Sequence, residues 1–241
     1  THLFSSAASD VYKRQASEIL EAEAKRNLEE SQKVSLNVSE YEKFCDTFKF
    51  TETPDQERVI REVIADLLSD KPQDRLICGE VGFGKTEVAL RASFIVAQND
   101  YQVCILAPTT VLAKQHFEVF KERFSEFPYR ICLLTREQTK TEKAEIYKKI
   151  KENHFSIIIG THALFNKEIS FKSLNLLIID EEHKFGVRQK EQIRSLKNGI
   201  NVISLSATPI PRTLNLSLSK VRDISLITTP PTGRKSVKTI V

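Results

Sequence analysis

A doubly wound α/β fold, with a parallel sheet covered by helices on both faces, follows from the spacing of apolar residues along this 241-residue chain. Short β-rich apolar runs recur at 75–78, 102–107, 130–134, 156–159, 174–179 and 201–205. Between them, stretches at 86–98, 111–124 and 141–151 carry apolar residues at helical spacing. Neither an internal repeat nor a low-complexity tract interrupts the alternation.

Taken in chain order, the opening THLFSSAASDVYKRQ has little periodicity; it is expected to be unstructured or artefactual, and no function is assigned to it. From 16 to about 33, Ala, Glu, Lys and Leu dominate, a composition that favours helix. Its apolar positions are sparse (Ile19, Leu20, Leu28), so such a helix needs a surface to lie on, and 16–50 is read as a connecting helix and linker. Thr53-Pro54-Asp55-Gln56 opens a clearer helix, with Thr53 as N-cap and Pro54 in the first turn. Val59, Ile60, Val63, Ile64, Leu67 and Leu68 form its apolar stripe. The main lobe is expected over 51–225, and 226–241 reads as a linker and the start of a second lobe. The closing SVKTIV has the look of a strand beginning, and the chain has no methionine, so it is expected to be a piece of a longer protein.

The composition, 40% hydrophobic and 28% charged with 7 Gly and 8 Pro, is that of a globular chain rather than a disordered or fibrous one. No run reaches the ~18–20 apolar residues of a membrane span, and nothing near the start has the charged-then-apolar pattern of a secretion signal. A cytoplasmic location and no membrane partner are therefore expected. Cys45, Cys78, Cys104 and Cys132 show no metal-site spacing, and the last three lie inside apolar runs, so they are read as core thiols. A net charge of +4 permits a nucleic-acid partner without demanding one.

The strongest local signal is Gly79-Glu80-Val81-Gly82-Phe83-Gly84-Lys85-Thr86, which fits G-x-x-x-x-G-K-[ST] directly after an expected strand and directly before an expected helix. Glycines let backbone N–H groups curl around phosphate oxygens, and the helix start adds partial positive charge. ATP is the cofactor this implies, with Lys85 reaching its outer phosphates and Thr86 ligating Mg²⁺. A second acidic site is needed for the metal, and Asp180-Glu181-Glu182-His183 supplies it at the carboxyl end of a buried run. Asp180 is placed to hold Mg²⁺ through water, and Glu181 to orient or deprotonate the attacking water. His183 alone would more often be an ordinary surface or core histidine. Thr53-x-x-Gln56 forms a capping box that needs no ligand.

Together the phosphate loop, DEEH and Ser206-Ala207-Thr208-Pro209 resemble motifs I, II and III of the superfamily 2 helicases and translocases, which implies a RecA-like P-loop lobe. Pro108-Thr109-Thr110 with Gln115-His116 resembles motif Ia, and Gly160-Thr161-His162 motif Ib. The resemblance implies that Thr109, Thr110, Thr161 and His162 grip DNA phosphates, and that His183, Ser206 and Thr208 couple the ATP site to the DNA face. It also makes Gln56 an adenine reader, compatible with its capping role, with Phe48 or Phe50 stacking on the base or else packing in the core. FCDTFKFTETPDQ, CGEVGFGKTEVALRA, APTTVLAKQHF, IIIGTHALF, LLIIDEEHKFGVRQKE and SATPIPRTLN narrow the match to the first motor lobe of the bacterial transcription-repair coupling factors. That family implies double-stranded DNA as partner, and RNA polymerase and excision-repair proteins as partners through parts absent here. The related helicases that reverse stalled replication forks share PIPRTL and GTHAL but usually carry Gln where Glu182 stands. Motifs IV to VI, with the arginine finger, belong to a second lobe.

Two other classes compete. A GTPase switch would be expected to carry NKxD, and Asn166-Lys167-Glu168-Ile169 lacks the Asp. A module holding ATP without hydrolysing it is disfavoured by the presence of Lys85, Asp180 and Glu181 together.

Overall fold

The computed structural model describes residues 32–197, 199–208 and 222–231. The expected helix before 32, the terminal stretch 1–15, the PIPRTLN segment at 209–215 and the closing SVKTIV lie outside the described residues.

Seven strands form one all-parallel sheet in the order β3-β4-β2-β5-β6-β1-β7. They are β1 Asp74–Gly79, β2 Gln102–Leu106, β3 Ile131–Leu134, β4 Ile157–Gly160, β5 Leu174–Asp180, β6 Asn201–Ser206 and β7 Asp223–Ile227. The central runs are buried on both faces, so their side chains alternate between two apolar clusters. Ile105, Ile178 and Ile203 enter one, while Cys104, Leu106, Leu177, Ile179 and Val202 enter the other. The six anticipated strands are present, and β7 is an addition at the edge beside β1.

The helices are α1 Val38–Asp46, α2 Pro54–Leu67, α3 Lys85–Ala97, α4 Thr110–Arg123, α5 Lys140–Lys151 and α6 Val187–Leu196. α2 starts as its sequence demands: Thr53 accepts from the Gln56 N–H at 3.3 Å, and Gln56 Oε1 accepts from the Thr53 N–H at 2.9 Å. α3 runs beneath the sheet with nearly every side chain buried, and its two buried charges, Glu87 and Arg91, pair with each other at 2.9 Å. α1 falls within the stretch read as connecting helix and linker, yet it plants Phe44 in the core, stacked on Phe94 at 4.3 Å between ring centres. Cys78, Cys104 and Cys132 are buried free thiols, and Cys45 is partly buried.

Candidate nucleotide site and its acidic neighbour

β1 ends at Gly79 and α3 begins at Lys85, so the intervening loop sits at the carboxyl edge of the sheet, where parallel α/β sheets bind ligands. Gly82 and Gly84 have φ of 81° and 82°, a left-handed conformation that lets the backbone curl. Gly84 caps α3 without a side chain, leaving the first-turn N–H groups available to an anion. Val81 and Glu80 are exposed on the loop, while Phe83 is buried beneath it. Lys85 donates to the carbonyls of Gly79 at 2.5 Å and Glu80 at 3.0 Å. Burial holds its ammonium below the usual lysine range, and Glu181 and Asp180 pull in the opposite direction. Thr86 follows, half-buried in the first turn of α3.

Gln56 is 3% exposed and spans two elements. Its Oε1 serves the capping box while its Nε2 donates to the Phe83 carbonyl at 2.9 Å, tying the start of α2 to the phosphate loop. Phe48 lies beneath the guanidinium groups of Arg91 and Arg123, at 5.8 and 5.6 Å from its ring centre, whereas Phe50 is 74% exposed.

Two strands away from β1, β5 delivers Asp180 and Glu181 to the same edge of the sheet. Both residues are buried, 9% exposed. Glu181 has φ 50°, ψ 55°, a left-handed conformation unusual for a residue with a side chain and a feature that clusters at functional sites. Its Oε1 accepts from the Ala207 N–H at 3.0 Å, and its Oε2 lies 3.3 Å from His183 Nδ1. The segment after β6 therefore touches the acidic strand end through the Ala207 amide. Ser206 and Thr208 hydrogen-bond to each other at 2.8 Å.

Sequence reasoning gave Glu182 no partner, and the structure surrounds it with Ser204 at 2.9 Å, Arg222 at 3.2 Å and Lys197 at 3.3 Å. Burial raises its pKa, but Lys197 and Arg222 outweigh that and hold the carboxyl at about 2. Asp180 has a partner that spacing alone could not reveal: His116 Nε2, on α4, stands 2.9 Å from Asp180 Oδ2.

Of the residues expected at the far edge, Thr109 is exposed and caps α4 by accepting from the Leu112 N–H at 3.2 Å, and Thr110 is half-buried. His162 is exposed at the end of β4. Thr161 is 2% exposed, and its hydroxyl has no hydrogen-bond partner among the described residues. Among the described residues no helix is long and apolar enough to cross a membrane.

The DEAD/DEAH box helicase sequence model matches residues 53–216. The transcription-repair-coupling factor of Escherichia coli K12 is 46% identical over 226 residues, covering 94% of this chain and 20% of that protein. That of Haemophilus influenzae is 47% identical over the same share of this chain, again 20% of its own length. The chain thus spans about one fifth of these curated relatives. Among solved structures, RecG bound to a three-way DNA junction superposes with a TM-score of 0.78 at 32% identity, covering 89% of this chain and 29% of that one. The matched stretch opens at the capping box of α2 and runs past the Ala207 contact, so both sides of the candidate site lie inside it, and the chain belongs to the DEAD/DEAH box helicase family, whose members are ATP-binding enzymes of superfamily 2.

Proposed function

We propose that this chain is the first, ATP-binding lobe of a motor that moves along double-stranded DNA, in a protein of the transcription-repair-coupling type. The observation that carries the motor reading is the bond from the Ala207 N–H to Glu181 Oε1 at 3.0 Å. It ties the carboxylate assigned to water activation to the segment assigned to coupling, so a shift in either is felt by the other.

In this reading Lys85 exchanges the carbonyls of Gly79 and Glu80 for the outer phosphates of ATP, aided by loop N–H groups from Gly79 to Thr86. Thr86 and Asp180 would hold Mg²⁺. Among the described residues no cluster of three or more His, Cys, Asp or Glu gathers into a metal cage. One hydroxyl and one carboxylate suit a cation that keeps most of its water and takes its remaining ligands from substrate phosphates. Mg²⁺, when bound, neutralises charge on the phosphate oxygens. Glu181 orients and deprotonates the attacking water, its other oxygen lying 3.3 Å from His183 Nδ1. Gln56 lies against the loop and reads adenine on opening from its buried position, with exposed Phe50 better placed to stack than covered Phe48.

Thr109, Thr110 and His162 line the DNA side, Thr161 contributing once its buried hydroxyl is uncovered. Such contacts position a strand without reading its sequence. Displacement of stalled RNA polymerase and recruitment of excision-repair proteins are assigned to the longer protein in the cytoplasm, on the strength of the coupling-factor relatives. Motion on reversed forks is the second reading, supported by the likeness to RecG, though at 32% identity against 46–47% for the coupling factors.

Lys85→Ala should abolish nucleotide binding, measured by fluorescent ATP-analogue titration, with the fold intact by circular dichroism. Glu181→Gln should still bind while turnover in the longer protein falls ~10²–10⁴-fold, the usual worth of a general base. Unchanged turnover in both variants would sink the assigned site.

A further inference from the structure

We infer that His116 is a positioning residue for the metal carboxylate, holding Asp180 from a helix that belongs to the DNA side of the lobe; this rests on the Mg²⁺–ATP reading given above. α4 runs from Thr110 to Arg123 and buries Ala113 and Phe120. Position 116 falls on the same face, one turn from each, where an apolar side chain is the ordinary choice. An imidazole stands there instead, and its Nε2 is 2.9 Å from Asp180 Oδ2. Both side chains are nearly covered, 12% and 13% exposed. A buried carboxylate without a donor is costly. One donor on Oδ2 fixes the carboxylate plane and leaves its other oxygen for the hydrated cation.

The pairing follows from the sheet order. β2 and β5 are neighbours, with Leu106 opposite Ile179, so the helix that leaves the end of β2 starts beside the end of β5 before its body packs over β4 and β3. No spacing in the sequence relates 116 to 180. The same helix starts at the exposed cap Thr109, so the residue that aims the metal ligand shares one rigid element with two of the residues assigned to DNA phosphates, Thr109 and Thr110.

The test is a Mg²⁺ titration of fluorescent ATP-analogue binding by the whole chain carrying His116→Ala, His116→Leu or His116→Gln, beside Lys85→Ala. Loss of an outer-shell partner typically weakens metal binding ~10–100-fold, so His116→Ala and His116→Leu should raise the half-saturating Mg²⁺ about tenfold or more. Analogue binding in excess chelator should be unchanged. His116→Gln, whose Nε2 comes close to that of the imidazole, should recover most of the Mg²⁺ affinity. His116→Leu keeps the buried bulk and serves if the alanine variant does not fold. An unaltered Mg²⁺ midpoint in the leucine variant, or an equal shift in the leucine and glutamine variants, would reduce His116 to packing and overturn the inference. Lys85→Ala binding the analogue as tightly as the unaltered chain would instead overturn the nucleotide site itself, and the role of His116 with it.

Discussion

A Cβ built on Gly84 would lie 2.2 Å from Gln56 Nε2, and the φ of +82° there is one that residues with a side chain rarely adopt. Two costs therefore meet at a single position. The left-handed conformation costs a substituted alanine ~1–2 kcal/mol. The collision displaces the amide that holds the Phe83 carbonyl, and a lost buried hydrogen bond adds ~1–3 kcal/mol. Gly84→Ala should accordingly destabilise the chain by a few kcal/mol in urea unfolding, roughly the sum of these terms. Gln56→Ala alone should cost ~1 kcal/mol or somewhat more, through the capping box and the loop contact together. In the double variant the clash is gone and only the backbone term of Gly84→Ala remains, so the two changes should be less than additive by at least ~0.5 kcal/mol. Strict additivity would mean that the amide does not press on the loop. Glu181, the other strained residue of the site, combines φ 50° with an N–H that pairs with the Leu205 carbonyl and a carboxylate that accepts from the Ala207 N–H.

Elements of this lobe are clamped by charges as well as by apolar packing. Glu182, in the turn after β5, meets Lys197 beyond α6 and Arg222 ahead of β7, and both cations also reach Asp74 at the start of β1. Its carboxyl titrates at about 2 in the fold against an ordinary 4.5, so the folded state binds its proton less readily than the unfolded state. The resulting stability is fully present above about pH 4.5 and is lost as pH falls toward about 2. Glu182→Gln, which takes a part-buried partner from Lys197 and Arg222 while Asp74 remains to both, should cost ~1–3 kcal/mol near neutrality. The melting-temperature gap from the unaltered chain should narrow steadily below pH 4.5, whereas a gap independent of pH would assign the loss to packing. Asp55 makes a second clamp, accepting from the N–H and hydroxyl groups of both Thr228 and Thr229, which keeps its carboxyl well below the usual range. Asp55→Ala should speed amide exchange at 228 and 229 while exchange in β5 stays slow. None of these partners could be read from spacing. The six expected strands were legible because burial on both faces makes a run such as IIIG or LNLLIID apolar throughout, and the phosphate loop because its chemistry is contiguous. β7 was missed because an edge strand buries only part of its length: in DISLI only Ser225 and Ile227 are buried. α1 was not set apart from its linker because it buries Phe44 alone. His116, Ala207 and Arg222 stayed hidden because the order of strands, which no local pattern encodes, brings them to Asp180, Glu181 and Glu182.

At the scale of the whole molecule, the chain carries Lys85, Thr86, Asp180 and Glu181 at one edge of the sheet, yet spans about one fifth of the coupling factors it resembles. In the two-lobe arrangement implied by that resemblance, nucleotide lies in a cleft and an arginine from the second lobe meets the charge that develops on the γ-phosphate. Arg222, near the acidic turn, is already committed to Glu182, Asp74 and Ser204. In the proposed reading Lys85 would serve the phosphates in the ground state and in the transition state alike, and such uniform binding does not raise the rate of the chemical step. An arginine finger is worth roughly 10³–10⁵ in rate, or ~4–7 kcal/mol of barrier. The 241 residues alone should therefore bind ATP weakly and turn it over slowly, while a longer protein with the second lobe gains turnover by at least about 10³-fold. DNA should stimulate only the longer form. Its affinity should fall steeply between low and moderate salt with little base preference, because contacts to phosphates release counterions and read no sequence. The measurement is steady-state ATP turnover by both forms, each with and without duplex DNA and at two salt concentrations. Equal DNA-stimulated rates, with the longer form ending at the second lobe, would show that this lobe completes its own active site without the part to which the arginine is assigned.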